Sequence, residues 1–264
     1  MRTSLALLAL ATGLFAATAT ATELRTETIE YQVNGDPYTG YIAWDADRDG
    51  ERPGVLVVHE WWGHGDYVRQ RARQLARLGY TGFALDMYGQ GRRANHPDEA
   101  KQFMQATLSD MDRAEQRFKA AMTRLQEHPS VDEARIAAQG YCFGGGVVLA
   151  MARRGLDLDG VVSFHGSLGS DRTVEPGDVK AAVQVHTGGA DEFVPADQVA
   201  DFVTAMHQAN ADYAVHSYPA AKHSFTNPAA DEYADKFGLP VGYNAEADRR
   251  SWQATKAFYR EIFD

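Results

Sequence analysis

The chain has 264 residues, 44% of them hydrophobic and 23% charged, with a formal net charge of −10. That length and balance suit one large soluble α/β domain with ample core. The acidic balance, with no basic run, argues against nucleic acid as a partner.

Met1-Arg2 followed by the apolar run Leu5 to Ala17 has the form of an export signal, with Ala17, Ala19 and Ala21 offering a small-residue cleavage site after Ala21. The run is too short to span a bilayer, and no later stretch is long enough. Residues 1–21 are therefore expected to be a cleaved signal peptide, residues 22–264 a single domain, and the protein secreted, most simply to a periplasm. Cys142 is the only cysteine. In an oxidising compartment it has no internal disulfide partner, which points to a chemical role.

Thr26 to Val33 and Tyr38 to Trp44 alternate in polarity around the turn Asn34-Gly35-Asp36-Pro37, the pattern of a β-hairpin. Gly54 to Val58 is a continuous apolar run, as in a strand buried on both faces. A helix follows from Asp66, and Thr81 to Leu85 predicts the next strand, with Asp86-Met87-Tyr88-Gly89 as its exit loop. His96-Pro97 opens a helical region whose inner face carries Met111, Ala114, Phe118, Met122 and Leu125. A strand from Ile136, then Gly160 to Phe164, Ala181 to Val185 and Ala214 to Tyr218, alternates with helices, the last marked by Trp252, Thr255, Tyr259 and Ile262. Such alternation predicts a mostly parallel, doubly wound sheet with helices on both faces and an N-terminal β-hairpin.

Within this frame, Gly140-Tyr141-Cys142-Phe143-Gly144 joins strand to helix with the G-x-nucleophile-x-G spacing of a nucleophile elbow. Glycines two residues to either side make room for a strained turn that lifts the central side chain. The plainer reading is a small buried cysteine in a packing turn; the paired glycines favour the nucleophile. Catalytic groups in such sheets gather at the carboxyl ends of strands. Of the nine histidines, His223 follows the last strand in a loop, and Asp191 follows the preceding strand in a Gly-rich turn. Nucleophile, acid, histidine is also the α/β-hydrolase order. An imidazole would favour the thiolate, and the carboxylate would orient the imidazole. Asp191 has the competing role of a turn or helix-cap residue.

His59-Glu60-Trp61-Trp62-Gly63-His64 superficially resembles a zinc motif, but its second histidine comes one residue late and it lies at a strand exit, not on a helix. Glu60 is thus either a solvated loop carboxylate or one close enough to the thiol to hold its proton.

At this point the chain resembles the dienelactone hydrolase family of α/β-hydrolases, through Val57-Val-His-Glu-Trp-Trp-Gly63, Leu85-Asp-Met-Tyr88, Gly140-Tyr-Cys-Phe-Gly-Gly145, Phe164-His-Gly166, Gly189-Ala-Asp-Glu-Phe-Val-Pro195 and Lys222-His-Ser-Phe225. The resemblance implies an α/β-hydrolase fold and hydrolysis of a carboxylic ester or lactone through a thioester. Cys142 would be nucleophile, His223 base and Asp191 its orienting acid. Glu60 would contact the resting thiol and take part in its activation, and the N–H groups of Trp61 and Phe143 would form the oxyanion hole. No metal or cofactor is implied; the expected partner is a small ester or lactone, with neither nucleic acid nor, after signal cleavage, membrane involved.

The family's substrate-gripping arginines are replaced here by Gln90 and Asn227, although Arg92 and Arg93 lie close by, so an anionic lactone fits poorly. Trp62, Tyr88, Phe193 and Phe225 are candidates for an aromatic pocket, and Asn227 to Tyr243 for a cap over it. Two competing readings keep the fold without hydrolysis: a non-catalytic binding cleft, and a redox-sensing thiol at Cys142.

Overall fold

The computed structural model describes residues 23–264; the expected signal peptide lies outside them. Strands β1 (Leu24–Val33), β2 (Asp36–Asp45), β3 (Arg52–Val58), β4 (Thr81–Leu85), β5 (Val131–Tyr141), β6 (Gly160–Phe164), β7 (Ala182–Gly188) and β8 (Tyr213–Tyr218) form one sheet in the order β1-β2-β4-β3-β5-β6-β7-β8. The β1–β2 hairpin pairs antiparallel and joins β4 antiparallel, while β4, β3, β5, β6, β7 and β8 run parallel.

β3 shows why its sequence is an unbroken apolar run. Leu56 and Val58 enter one core with Phe118 and Leu125 of α3 (Met111–Gln126), Val147 and Met151 of α4 (Phe143–Arg153), and Phe202 of α5 (Ala196–Gln208). Val55 and Val57 enter the opposite core, beneath Leu75 of α1 (Asp66–Arg77) and Tyr259 of α7 (Ala245–Phe263). Because successive side chains alternate faces, burial on both sides demands apolar residues at every position.

The expected helical region divides into α2 (Pro97–Leu108), with Pro97 at its first turn and the His96 side chain capping Asp98, and α3, capped by Asp110 through the Arg113 N–H. One element was not foreseen. Residues Ala230–Phe237, inside the stretch expected as a candidate cap, form the short helix α6, ended by Gly238 in the left-handed conformation. Among the described residues no helix is long and apolar enough to cross a membrane.

Candidate active site

The site lies where β3, β5, β7 and β8 end. Cys142 occupies the sharp turn from β5 into α4 with φ 53° and ψ −117°, a region that non-glycine residues rarely adopt. Its own N–H donates to Phe164 O at 3.0 Å and to His165 Nδ1 at 3.1 Å, which holds the strained turn against the end of β6. The flanking glycines are required by close approach. A Cβ on Gly140 would sit 2.0 Å from Gly144 O, and one on Gly144 would sit 2.4 Å from Val58 O. Glycine therefore lets the elbow fold back on itself and α4 start tight against the end of β3.

The same device brings the acid to the histidine. A Cβ on Gly188 would meet Ala221 O at 2.3 Å, and one on Gly189 would meet Pro219 Cα at 2.7 Å, so the exits of β7 and β8 touch. Asp191 is buried, and its two oxygens divide their roles. Oδ1 accepts the Phe193 N–H at 2.9 Å, the turn role expected of an aspartate there, while Oδ2 accepts from His223 Nδ1 at 2.9 Å. His223 and Cys142 share the cavity wall, and the Cys142 sulfur acts on the His223 imidazole. Burial alone would lower the His223 pKa, but the Cys142 sulfur and the bond to Asp191 together outweigh it and push it up to about 10. Asp191 and His223 are thus bonded to each other, and His223 shares the cavity wall with Cys142.

Glu60 is buried, but both its oxygens are taken by the loop after His223 and not by the thiol. Ser224 Oγ donates to Oε1 at 3.0 Å and Asn227 Nδ2 to Oε2 at 2.5 Å. The alternative of a solvated loop carboxylate is corrected by this burial; the hydrogen-bond donors to Glu60 among the described residues are Ser224 and Asn227. Burial raises its pKa, opposed by these two bonds and by the nearby His223 and Arg71 charges. Asn227 spends its amide on Glu60. Gln90, Arg92 and Arg93 are exposed and lie off the cavity wall.

Neither the Trp61 nor the Phe143 amide is bonded to an acceptor within the described residues. Phe143 N–H is a free donor at the start of α4, where the helix dipole adds to it. Trp61 is pinned because its carbonyl accepts from Tyr88 Oη at 3.0 Å. His59 fixes the same exit: its Nε2 accepts the Met87 N–H at 3.2 Å and its Nδ1–H donates to Glu60 O at 2.6 Å. Burial holds that imidazole neutral.

Cys142 and His223 open onto a cavity of about 670 Å³, in the range of small-molecule sites. Of the pocket candidates, Trp62 and Phe193 are on its wall, and so are Trp61 and Phe143. Tyr88 and Phe225 are not. Tyr88 packs on His59 and Phe143 behind the wall, and Phe225 is fully buried between His165 and Tyr218. The stretch after Asn227 does cover the site: Tyr233, Leu239 and Val241 line the cavity, and Tyr233 packs on Trp62 with ring centroids 4.5 Å apart. A bridge between His223 and Val241, with Gly242 N–H donating to His223 O at 3.1 Å, ties this cap to the histidine.

A buried network beneath the site was not foreseen. His165 Nε2 contacts Thr226 Oγ1 at 2.8 Å, Thr226 Oγ1 contacts Tyr67 Oη at 2.6 Å, and Arg71 donates to Thr226 O at 2.7 Å and to Asp248 at 2.7 Å. It locks the His223 loop to the elbow. His165 itself is held in the left-handed region, at a φ of 41°.

The dienelactone hydrolase family model matches residues 39–263. The chain belongs to the dienelactone hydrolase family. It is 28% identical over 241 residues to Protein usf of Aquifex pyrophilus, covering 88% of this chain and 97% of that one. Among solved structures, it is similar to a dienelactone hydrolase-like promiscuous phosphotriesterase from metagenomic libraries, with 31% identity, a TM-score of 0.85 and coverage of 91% and 99%. Dienelactone hydrolase from Anabaena variabilis, at 18% identity and a TM-score of 0.65 over 91% of this chain and 99% of that one, shares the fold. The fold is that of the α/β-hydrolases, and the family is one of hydrolases.

Proposed function

We propose that this family member hydrolyses a carboxylic ester or lactone through a thioester on Cys142. The observation that carries the reading is the Asp191–His223 bond of 2.9 Å, with His223 and the elbow residue Cys142 on one cavity wall. A thiol is largely protonated at neutral pH unless a base takes its proton. His223, its imidazolium stabilised by Asp191, favours the thiolate. The sulfur attacks the carbonyl carbon, and the oxygen that becomes negative is received by the Trp61 and Phe143 N–H groups. His223 gives its proton to the leaving alkoxide as the C–O bond breaks. Water, deprotonated by His223, then attacks the thioester, the C–S bond breaks, and the acid leaves with the thiolate restored. Glu60 positions the His223 loop through Ser224 and Asn227.

The test is one panel of small activated esters and lactones run on wild type and Cys142→Ala, with stoichiometric iodoacetamide on the wild type. The expected result is loss of turnover in both treatments and an acyl adduct on Cys142 by mass spectrometry after a rapid quench. Full esterase activity in Cys142→Ala overturns the assignment.

A further inference from the structure

One wall of the cavity carries a cation that the proposed chemistry leaves unused. α4 leads away from Cys142, and Gly146, Ala150 and Arg153 follow one another along the cavity at helical spacing. The first two keep the floor low; a Cβ on Gly146 would find nothing nearer than 3.6 Å. Met104, Leu108 and Met111 face the same space, an adaptable apolar lining suited to an alkyl chain.

Arg153 closes this channel. It is 5% exposed, yet no carboxylate lies within ion-pair distance of it among the described residues. Its Nη2 donates to Leu168 O at 2.7 Å, and its guanidinium sits 5.4 Å from the Phe202 ring centroid. These contacts fix its plane but leave most of its five N–H donors uncommitted. Arg154 next to it is neutralised by Asp112 and Glu115. Arg172 adds a second cation at this end, donating from Nε to Arg153 O at 2.9 Å. Asp171 is the one carboxylate on the cavity wall, and it is exposed to solvent screening. A buried, unpaired charge is costly, and an apolar side chain would pack on Phe202 without that cost. Burial already pulls the Arg153 pKa down to about 10. An arriving anion would relieve this.

We propose that Arg153, with Arg172 beside it, forms a subsite for an anionic group carried by the ester substrate at the end remote from its scissile carbonyl. The proposal rests on the reading of Cys142 as the nucleophile and names the substrate class that reading leaves open. The eleven residues of α4 separate the Cα atoms of Cys142 and Arg153 by roughly 16 Å of helical rise. An arginine side chain leans back toward the helix N-terminus, leaving a gap on the order of 10 Å. That gap fits an alkyl chain of about eight carbons ending in a carboxylate.

The experiment compares p-nitrophenyl hydrogen octanedioate with p-nitrophenyl octanoate. For the opposite orientation, it compares the acetate ester of an ω-hydroxyoctanoate with octyl acetate. In wild type, kcat/KM for the charged ester should exceed its neutral partner by roughly ten- to hundred-fold in one of the two pairs. In Arg153→Leu that ratio should fall to near one, and Arg153→Lys should recover part of it. A wild-type ratio near one in both pairs overturns the subsite, and needs no variant to fold. So does a ratio unchanged in Arg153→Leu. Calorimetric titration of Cys142→Ala with monomethyl octanedioate and with methyl octanoate separates the two readings. Selective binding of the charged ester, lost when Arg153→Leu is added, sustains the subsite even if no ester is turned over. Turnover of neutral esters without any charged preference removes the subsite alone, and the absence of both turnover and selective binding removes both.

Discussion

Asn227 donates its side-chain amide to Glu60 Oε2 at 2.5 Å, and Ser224 donates to Oε1 at 3.0 Å, so the exit of β3 and the loop carrying His223 share one buried carboxylate. The strap joins the segment that offers the Trp61 N–H to the segment that offers the imidazole. Separating them would spoil the geometry of both.

The strap has a pH signature in stability. Burial raises the Glu60 pKa above its ordinary value of 4.5. A carboxyl raised in the folded state binds more protons folded than unfolded between the two pKa values. Its contribution is fully present below about 4.5 and is lost as pH rises through the folded pKa. Glu60→Gln removes that titration while retaining an acceptor for Asn227. Urea unfolding of wild type and Glu60→Gln at a series of pH values should show the wild type losing stability relative to the variant as pH rises from the ordinary glutamate value toward neutrality. A difference that stays flat or grows in favour of wild type contradicts the raised pKa.

The histidine titration should report its neighbours. With its pKa raised to about 10, His223 contributes stability that is present below its ordinary 6.5 and lost as pH rises through about 10. The largest upward influence on it is the Cys142 sulfur. In Cys142→Ala the downward pull of burial is opposed only by Asp191, and the His223 ring resonance observed by NMR should titrate at lower pH than in wild type. Asp191→Asn should lower it too, and should cut kcat by about 10⁴-fold if the acid acts as in other triads of this kind. An unchanged titration in both variants would mean that neither group is in contact with the ring.

The chain spells out its chemistry where local sterics set it. Gly140 and Gly144 flank Cys142 because backbone atoms press on both, and that spacing is readable without coordinates. Asp191 and His223 follow from the rule that strand ends converge, since each stands just beyond an apolar run. The partners of Glu60 were hidden because they depend on how the loop from Ser224 to Asn227 folds back, which no periodicity encodes. Tyr88 and Phe225 were misplaced on the cavity wall because aromatic residues near strand ends serve core and pocket alike. α6 was missed because eight residues carry barely two turns of pattern, although Tyr233 and Phe237, four apart and both packed on Trp62, were its trace. Arg153 carries no sequence signal beyond a charge near a helix end, because its place on the cavity wall depends on how α4 lies along the cavity.

The two kinds of glycine in the elbow helix should part company on substitution. Gly144→Ala would place a methyl 2.4 Å from Val58 O and 2.6 Å from His59 O, backbone atoms that move only if β3 moves. It should destabilise the fold by about 3 kcal/mol or more and displace the Trp61 amide. Gly146→Ala meets nothing closer than 3.6 Å and should stabilise by about 0.5–1 kcal/mol through helix propensity. Equilibrium unfolding of the two variants decides the point; equal effects would show that the tight approach at Gly144 is not what requires glycine there.

Dienelactone itself should be a poor substrate. Its carboxylate lies close to the lactone carbonyl and needs a cation near Cys142. Asn227 is neutral and already bonded to Glu60, while Gln90 is exposed in a separate recess with Asp36 and Arg113. Arg92 lines that same recess, and Arg93 turns toward Asp66 at 4.0 Å. The one unpaired buried guanidinium on the cavity wall, Arg153, lies at the far end of α4, beyond the reach of so compact an anion. We therefore expect kcat/KM for dienelactone to fall below that for neutral esters of similar size by roughly ten-fold or more, the value of a missing charge-assisted hydrogen bond. The deficit should appear mainly in KM, because the bond is lost from ground state and transition state alike. Steady-state rates on the two substrates at equal ionic strength measure it, and a kcat/KM for dienelactone equal to the neutral esters would mean that its carboxylate finds a cation by rearrangement of the cap over Trp62.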